Sequence, residues 1–177
     1  PKRPKKLEAD IIRFQNDKEK WIAVVGLYEG RPYEIFSGKA ASFVLPNSVE
    51  KGWVIRVKEE DNLPARYDFQ FLDNDGYKVT IEGLSRMFKK EYWNYAKLIS
   101  GILRHGMPIT NVIELISKLT LDTDSINTWK NGIARALKKY VKDGTIVEGE
   151  KCPQCGGKII YTSGCKQCSD CGWSKCG

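Results

Sequence analysis

The sequence is short of the residues that mark secreted or membrane-spanning proteins. Its 177 residues contain one histidine, two methionines and six cysteines, and no cysteine precedes position 152. No apolar run approaches the roughly 20 residues of a membrane-spanning helix, and the first residues lack the pattern of a signal peptide. We therefore predict a cytoplasmic location, no membrane contact and no disulfide framework.

Common catalytic motifs are also missing. The sequence has no glycine-rich phosphate loop, no serine-hydrolase elbow and no HExxH. His105 falls at the end of a predicted helix without nearby metal ligands, so it makes a poor metal site. We predict no organic-cofactor site and no complete active site outside the cysteines.

The charge balance is basic, with 29 lysines and arginines, 22 acidic residues and a net charge of +7. Four of the cations lie in PKRPKK, where prolines prevent a helix and like charges repel. We predict a solvated basic linker over residues 1–6, and this clustering argues against nucleic acid as a partner. Because the chain begins at Pro1, we also expect it to be part of a longer polypeptide.

Residues 7 to 81 have the alternating pattern of β-strands. The runs are WIAVVGLY (21–28), RPYEIFSG (31–38), GWVIRVK (52–58), ARYDFQFL (65–72) and YKVTI (77–81). Turn residues separate them, such as DNDG before the last run. Gly26 lies within a strand, and there we favour a weak point over a β-bulge. The pattern predicts an antiparallel sheet of five or six strands.

The periodicity becomes helical after Ser85. Residues 91–106 place apolar side chains at three- and four-residue intervals, and Gly106 marks the end of that helix. Two further helices are predicted over 109–119 and 125–144, the last capped by Ser125. The predicted fold class is therefore α+β, an antiparallel sheet followed by about three helices.

Three aromatic residues of the helices, Trp93, Tyr95 and Trp129, lie at helical spacing. We predict that they belong to the core, because a platform for stacking bases needs exposure on a basic groove. The α+β domain is predicted to span 7–149, and a small zinc ribbon is predicted over 150–177.

All six cysteines lie between positions 152 and 176, which favours metal binding or thiol redox chemistry. CPQCGG and CSDCGW each place two thiolates two residues apart, followed by a glycine that permits a tight turn. Cys152, Cys155, Cys168 and Cys171 would thus form a four-thiolate zinc site. A second set takes Cys165 in place of Cys171, but only Cys171 brings the second glycine.

Two cysteines remain free in either assignment. The first set leaves Cys165 and Cys176, and the second leaves Cys171 and Cys176. Cys176 is the penultimate residue, on a tail that we expect to be mobile. Because Lys166 and Lys175 favour the thiolate form of a neighbouring cysteine, these thiols are candidates for disulfide exchange.

Three stretches carry a resemblance to a known family. RPYEIFSGK (31–39) and LISGILRHGMPITNVIELISKL (98–119) resemble the TSCPD domain of adenosylcobalamin-dependent, class II, ribonucleotide reductases. The closing CPQCGG…GCKQCSDCGWSKCG resembles the cysteine-rich zinc tail of the same enzymes. The resemblance implies that the chain is the C-terminal part of a ribonucleoside-diphosphate reductase, without a complete catalytic centre.

The resemblance also implies a role in electron delivery. Cys176 would be the shuttle thiol, partnered by Cys171 or, if zinc holds Cys171, by Cys165. The implied partners are the catalytic barrel, in the same polypeptide or a neighbouring subunit, and a thioredoxin-like reductant. The radical barrel, its thiyl cysteine and the nucleotide site have no counterpart here, and adenosylcobalamin is expected only in the parent catalytic domain.

Two other functions fit the same residues. The basic charge and the zinc knuckles also suit a nucleic-acid-binding zinc ribbon, for which strong salt dependence would be expected. A purely structural ribbon that holds subunits together is the third possibility, and it would leave Cys176 without a chemical role.

Overall fold

The computed structural model describes residues 2–16, 18–58 and 65–176, without the side chains of Asn16 and Ser125. The chain forms two compact units, Pro1–Gly106 and Met107–Gly177. These units differ in extent from the segments predicted from the sequence, namely 1–6, 7–149 and 150–177, which stay a prediction. No helix among the described residues is both long and apolar enough to cross a membrane.

The first unit is built on an antiparallel sheet. Its strands are β1 (Lys6–Asn16), β2 (Glu19–Tyr28), β3 (Arg31–Lys39), β4 (Lys51–Val57), β5 (Arg66–Leu72) and β6 (Lys78–Ile81). They lie in the order β3-β2-β1-β4-β5-β6, so β1 pairs with both β2 and β4. Five strands fall on the predicted runs and β1 is the sixth.

The buried core of this unit consists of β-branched and aromatic side chains of the strands, joined by residues that follow them. A short 3-10 turn (Ala40–Ser42) follows β3, and helix α1 (Leu84–Met87) follows β6. Phe43, Phe69 and Phe88 pack ring against ring in this core, with centroids 5.8 to 5.9 Å apart. Such pairs stabilise the sheet beyond their buried area alone.

Helix α2 (Lys90–Arg104) covers the edge strand β3. The backbone N–H of Ile35 donates to the Ser100 hydroxyl over 3.0 Å, and that hydroxyl donates to the Ile35 carbonyl over 3.1 Å. Ser100 therefore satisfies backbone groups that an edge strand would otherwise leave unpaired. The helix ends at Arg104 with His105 as its C-cap, in agreement with the predicted end near Gly106.

The structure corrects two predictions at the start of the sheet. The pairing of β2 and β3 shifts at Gly26, so this glycine marks a bulge and not a weak point. A Cβ there would lie 2.6 Å from Cγ of Glu34, which is fully buried. Arg3, predicted to be solvated, has a side chain only 3% exposed and pairs with Glu34 over 2.5 Å. A buried carboxylate requires a partner, and the basic segment supplies it.

The second unit begins with two helices, α3 (Ile109–Lys118) and α4 (Asp124–Lys138). The N-cap of α4 is Thr123, whose hydroxyl accepts a hydrogen bond from the Ile126 N–H over 3.4 Å. The prediction of Ser125 as the cap was therefore wrong by two positions. Threonine and serine both cap helices, so composition alone did not distinguish the two sites.

A second antiparallel sheet completes this unit. Its strands are β7 (Ile146–Lys151), β8 (Lys158–Thr162), β9 (Cys165–Cys168) and β10 (Ser174–Lys175), in the order β10-β9-β8-β7. Ser163 and Gly164 form the turn of the β8–β9 hairpin, and both have positive φ. The structure therefore confirms the predicted α+β class, with a cysteine-rich ribbon at its end.

Candidate metal and thiol site

Four cysteines converge in the second unit. The sulfur atoms of Cys152, Cys155, Cys168 and Cys171 all lie within 4.8 Å of one another. Sγ of Cys152 is 3.6 Å from Sγ of Cys171, and Sγ of Cys155 is 3.4 Å from Sγ of Cys168. Of the two sets considered from the sequence, the structure brings together the one that contains Cys171.

Two similar turns position these sulfurs, one containing Cys152 and Cys155 and the other containing Cys168 and Cys171. In each turn the first cysteine is buried and the second is exposed. The sulfur of the first cysteine accepts a backbone hydrogen bond from the residue two positions on, Gln154 in one turn (3.4 Å) and Asp170 in the other (3.3 Å). Gly156 and Gly172 follow the turns at φ of 74° and 77°, a region that glycine adopts without strain.

The thiols of the cluster perturb one another. Burial raises the pKa of Cys152, but backbone hydrogen bonds from Cys155 and Gln154 outweigh it and lower the pKa to about 7. For Cys155, a backbone hydrogen bond from Gly157 favours the thiolate. The nearby thiols of Cys168 and Cys171 outweigh that bond and raise the pKa of Cys155 to about 12. Four thiols in one small space cannot all ionise without a cation among them.

The donor set fits a soft, tetrahedral metal ion. Zinc binds four thiolates at about 2.3 Å, which corresponds to sulfur separations of roughly 3.8 Å. The observed separations of 3.4 and 3.6 Å are close to that value. Gly157 leaves the space between the turns open, because a Cβ there would lie 3.2 Å from the Cys155 sulfur and would overlap the Asp170 carboxylate. The four cysteines could therefore hold zinc.

The remaining two cysteines form a disulfide. Cys165 and Cys176 are bonded, with Cα atoms 4.5 Å apart. Cys165 begins strand β9, and β10 carries the chain back beside β9 to Cys176. The tail was expected to be mobile, but here it is held by this disulfide and by strand pairing. Cys171 does not pair with Cys176, because its sulfur belongs to the thiol cluster.

Cations and one carboxylate lie beside the disulfide. Lys166 and Lys175 face each other across strands β9 and β10. Lys166 also pairs with Glu150, with Nζ and Oε1 only 2.6 Å apart. Its charge is thus partly neutralised, so Lys175 is the less compensated cation near Cys176. The sequence pattern did not reveal Glu150, because it belongs to a different strand of the ribbon.

Fold and site together define an α+β protein with a ribbon in which a candidate metal site lies next to a disulfide. Comparison with known proteins then identifies the family. Residues 7–142 match the family described as "NrdJ homologue C-terminal domain", and the chain belongs to it. It is therefore related to the C-terminal region of NrdJ, a class II ribonucleotide reductase.

The family match ends before the first cysteine, Cys152. The relationship therefore rests on the sheet and the helices and not on the ribbon. No curated protein and no solved structure matches the chain.

Proposed function

We propose that this chain is the C-terminal part of a ribonucleotide reductase and relays electrons to its catalytic barrel by thiol–disulfide exchange. The observation that carries the proposal is the separation of the six cysteines into a cluster of four and a bonded pair, Cys165 and Cys176. Membership in the NrdJ-related family supports the reductase assignment. A thioredoxin-like protein is the proposed source of electrons.

In this proposal Cys152, Cys155, Cys168 and Cys171 hold zinc, which fixes the fold of a ribbon whose core is small. That core contains five buried residues, and two of them are cysteines of the cluster. Small ribbons with little buried apolar surface depend on a metal for stability. Thiolates bound to zinc are also kept out of disulfide exchange, so only the Cys165–Cys176 pair is available for it.

The exchange proceeds in two steps. The Cys176 thiolate attacks one sulfur of the barrel disulfide, forms a mixed disulfide and releases the other barrel sulfur, which takes up a proton. The Cys165 thiolate then attacks the Cys176 sulfur, re-forms the Cys165–Cys176 bond and releases the second barrel sulfur as a thiolate that is protonated. Two electrons pass to the barrel. The dithiol of the thioredoxin-like reductant restores them by the same exchange.

The ribbon geometry suits a thiol that must leave its resting position. Cys176 is exposed and the disulfide joins it to β9. Once that bond is reduced, only the two-residue strand β10 still pairs the tail with β9. Such a short edge strand is weakly held. Reduction would therefore free Cys176 to reach another sulfur, whereas Cys165 stays anchored within the sheet.

The test replaces Cys176 with serine in the reductase that contains this C-terminal region. We expect turnover supported by a thioredoxin system to be lost, while turnover supported by a small dithiol that reaches the barrel directly is retained. Cys165→Ser should lose the same activity and should trap a mixed disulfide between Cys176 and the barrel, because no second thiol remains to resolve it. Both variants should keep one zinc per chain, because neither residue belongs to the cluster.

Full thioredoxin-supported turnover of Cys176→Ser would overturn the electron relay and favour a purely structural ribbon. Tight, steeply salt-dependent binding of DNA to the ribbon would instead favour the nucleic-acid function. Loss of zinc from Cys176→Ser would contradict the assignment of the four metal ligands.

A further inference from the structure

A cleft of about 840 Å³ opens on the first compact unit, and no cysteine lines it. Its volume is in the range of small-molecule sites. Aromatic rings of Phe36, Tyr67 and Trp93 line it, together with several cations and, among the described residues, a single carboxylate, Glu34. The cationic side chains are those of Arg56, Lys58, Arg66, Arg86, Lys97 and Arg104.

The three rings form a connected aromatic surface. Phe36 and Trp93 are stacked, with centroids 5.2 Å apart and planes 23° apart. Tyr67 lies 5.2 Å from Phe36 and 6.2 Å from Trp93, with its plane tilted from theirs by 45° and 59°. Phe36 is buried, whereas Tyr67 and Trp93 are only half-buried and leave ring surface open to the cleft. The Arg3 guanidinium lies over the Tyr67 ring, 5.5 Å from its centroid, so Trp93 is the ring on which a planar ligand could stack.

This geometry changes the interpretation of Trp93. The sequence predicted a core residue because a stacking platform requires exposure on a basic groove. Trp93 does pack against the core, but it also lines a cleft with six cations. Trp93 is therefore partly exposed on a basic groove, as a stacking platform requires, and the sequence alone could not show this.

Among the described residues of the lining, the single carboxylate does not cancel the positive charge. Glu34 already accepts two hydrogen bonds from Arg3, over 2.5 and 2.9 Å, and Arg104 lies farther away at 3.7 Å. One carboxylate therefore faces two arginines, so the three groups together keep a net positive charge. Arg66 is different, because Asp68 neutralises it through two hydrogen bonds of 3.0 and 3.1 Å.

Three further cations are available to a ligand. Arg56, Arg86 and Lys97 are exposed and form no ion pair with any carboxylate that the structure describes. They come from three elements, strand β4, helix α1 and helix α2. Arginine binds phosphate oxygens in pairs, and lysine binds them as a point charge.

We propose that this cleft binds a free nucleotide, with the base stacked on Trp93 and its edge against Tyr67, and with the phosphates held by Arg56, Arg86 and Lys97. A single cleft of this volume matches one nucleotide, whereas single-stranded nucleic acids are bound along grooves several nucleotides long. The proposal does not depend on the electron relay, since none of its residues belongs to the ribbon.

The first experiment measures, by calorimetry on the intact chain, the affinity of ATP, adenosine and inorganic tripolyphosphate. ATP should bind about tenfold more tightly than either fragment, because only ATP engages both the rings and the cations. Its affinity should fall as salt rises. Equal affinity of ATP and tripolyphosphate, or of ATP and adenosine, would overturn the two-part site.

The second experiment reverses two exposed charges, in the double variant Arg56→Glu/Lys97→Glu. We expect ATP affinity to fall at least about tenfold, because two charge-assisted phosphate contacts are lost. Lys90→Glu is the matched control, since Lys90 is exposed on the same helix but does not line the cleft. It should change ATP affinity by less than about twofold. Unchanged binding in the double variant would overturn the proposal.

The rings are tested by quenching of tryptophan fluorescence. ATP should quench the wild-type chain, and Trp93→Phe should remove that quenching while affinity changes by less than about threefold, because a ring remains. Quenching that persists in Trp93→Phe would contradict stacking at this position. Tighter binding of a single-stranded oligonucleotide of about 12 residues, in competition with ATP, would overturn the choice of a free nucleotide in favour of a strand.

Discussion

The sheet and the ribbon of this chain are stabilised by different kinds of interaction. One core cluster of the first unit contains twelve buried residues, most of them β-branched or aromatic. The core of the ribbon contains five, and two of these are cysteines. Apolar burial can stabilise the first, whereas the second lacks enough apolar surface and needs bonds between sulfurs or to a metal.

Removal of the proposed metal should have the largest effect and should separate the two regions. A chelator in the presence of a reductant should unfold residues 146–175, while the six-stranded sheet keeps its structure. Structural zinc contributes on the order of 10 kcal/mol in small finger peptides, far more than this ribbon core can replace. Amide hydrogen exchange would report the loss of protection residue by residue. Protection that persists throughout the ribbon would contradict its dependence on the metal.

The next effect concerns a buried charge within the sheet unit. Glu34→Gln leaves the Arg3 guanidinium, only 3% exposed, without its carboxylate. Breaking one side of a buried ion pair costs about 3–5 kcal/mol, and urea unfolding would measure it. Glu19→Gln is the matched control, because Glu19 and Lys39 are about half exposed and pair over 2.9 Å. Equal losses of unfolding free energy in the two variants would mean that burial of the ion pair does not increase its contribution to stability.

A smaller effect on the free energy of unfolding is expected from substitutions at two glycines of the first unit. A Cβ at Gly38 would overlap the ring of Phe88, which is buried in the sheet core. Gly38→Ala should therefore destabilise the unit by about 1–3 kcal/mol. Gly101 lies in α2 with open space around it, so Gly101→Ala should stabilise it by about 0.5–1 kcal/mol. Thermal unfolding should show a lower midpoint for Gly38→Ala and a higher midpoint for Gly101→Ala than for the wild-type chain.

The smallest effect concerns Lys138 in the second unit. Burial, reinforced by Lys166, lowers the pKa of Lys138, so its charged form destabilises the fold at neutral pH. Lys138→Met should raise the unfolding midpoint at pH 7 by roughly 1–3 °C. The exposed neighbour Lys139, changed to Met, is the control.

The pH dependence of Lys138→Met has a definite sign. Between the lowered pKa in the folded chain and the ordinary value of 10.5, the unfolded chain binds more protons, so wild-type stability rises with pH. The advantage of Lys138→Met should therefore shrink as pH approaches 10.5 and beyond. An advantage that grows with pH would contradict burial of the charge.

The predictions from sequence succeeded where a pattern is local. Alternation located five strands, and three- and four-residue spacing located the helices, because each pattern reflects which side of an element is buried. The paired CxxC motifs with their glycines led to the set of four cysteines that the structure brings together. The position of Ser100 against β3 was not predictable, because it depends on which strand lies at the edge of the sheet.

Three errors share one cause. Arg3 was assigned to a solvated linker, Gly26 to a weak point and Cys176 to a mobile tail. In the structure Arg3 forms an ion pair with Glu34, and Gly26 leaves the space that the Glu34 side chain occupies. Cys176 is bonded to Cys165. Each depends on a residue far away in the chain or on another strand, and such partners leave no periodic signal in a single sequence.

The sequence by itself determined the α+β class and the concentration of thiol chemistry in the last 26 residues, because apolar periodicity and cysteine spacing are local properties. Only the tertiary structure decided which sulfurs are neighbours, since the pairing of strands β7, β8 and β9 brings the two cysteine-containing turns together. It also decided that Trp93 lines a basic cleft, because the cations around it come from several separate elements, among them β4, β5, α1 and α2. The closing GCKQCSDCGWSKCG thus contains half of the thiol cluster and all of the disulfide.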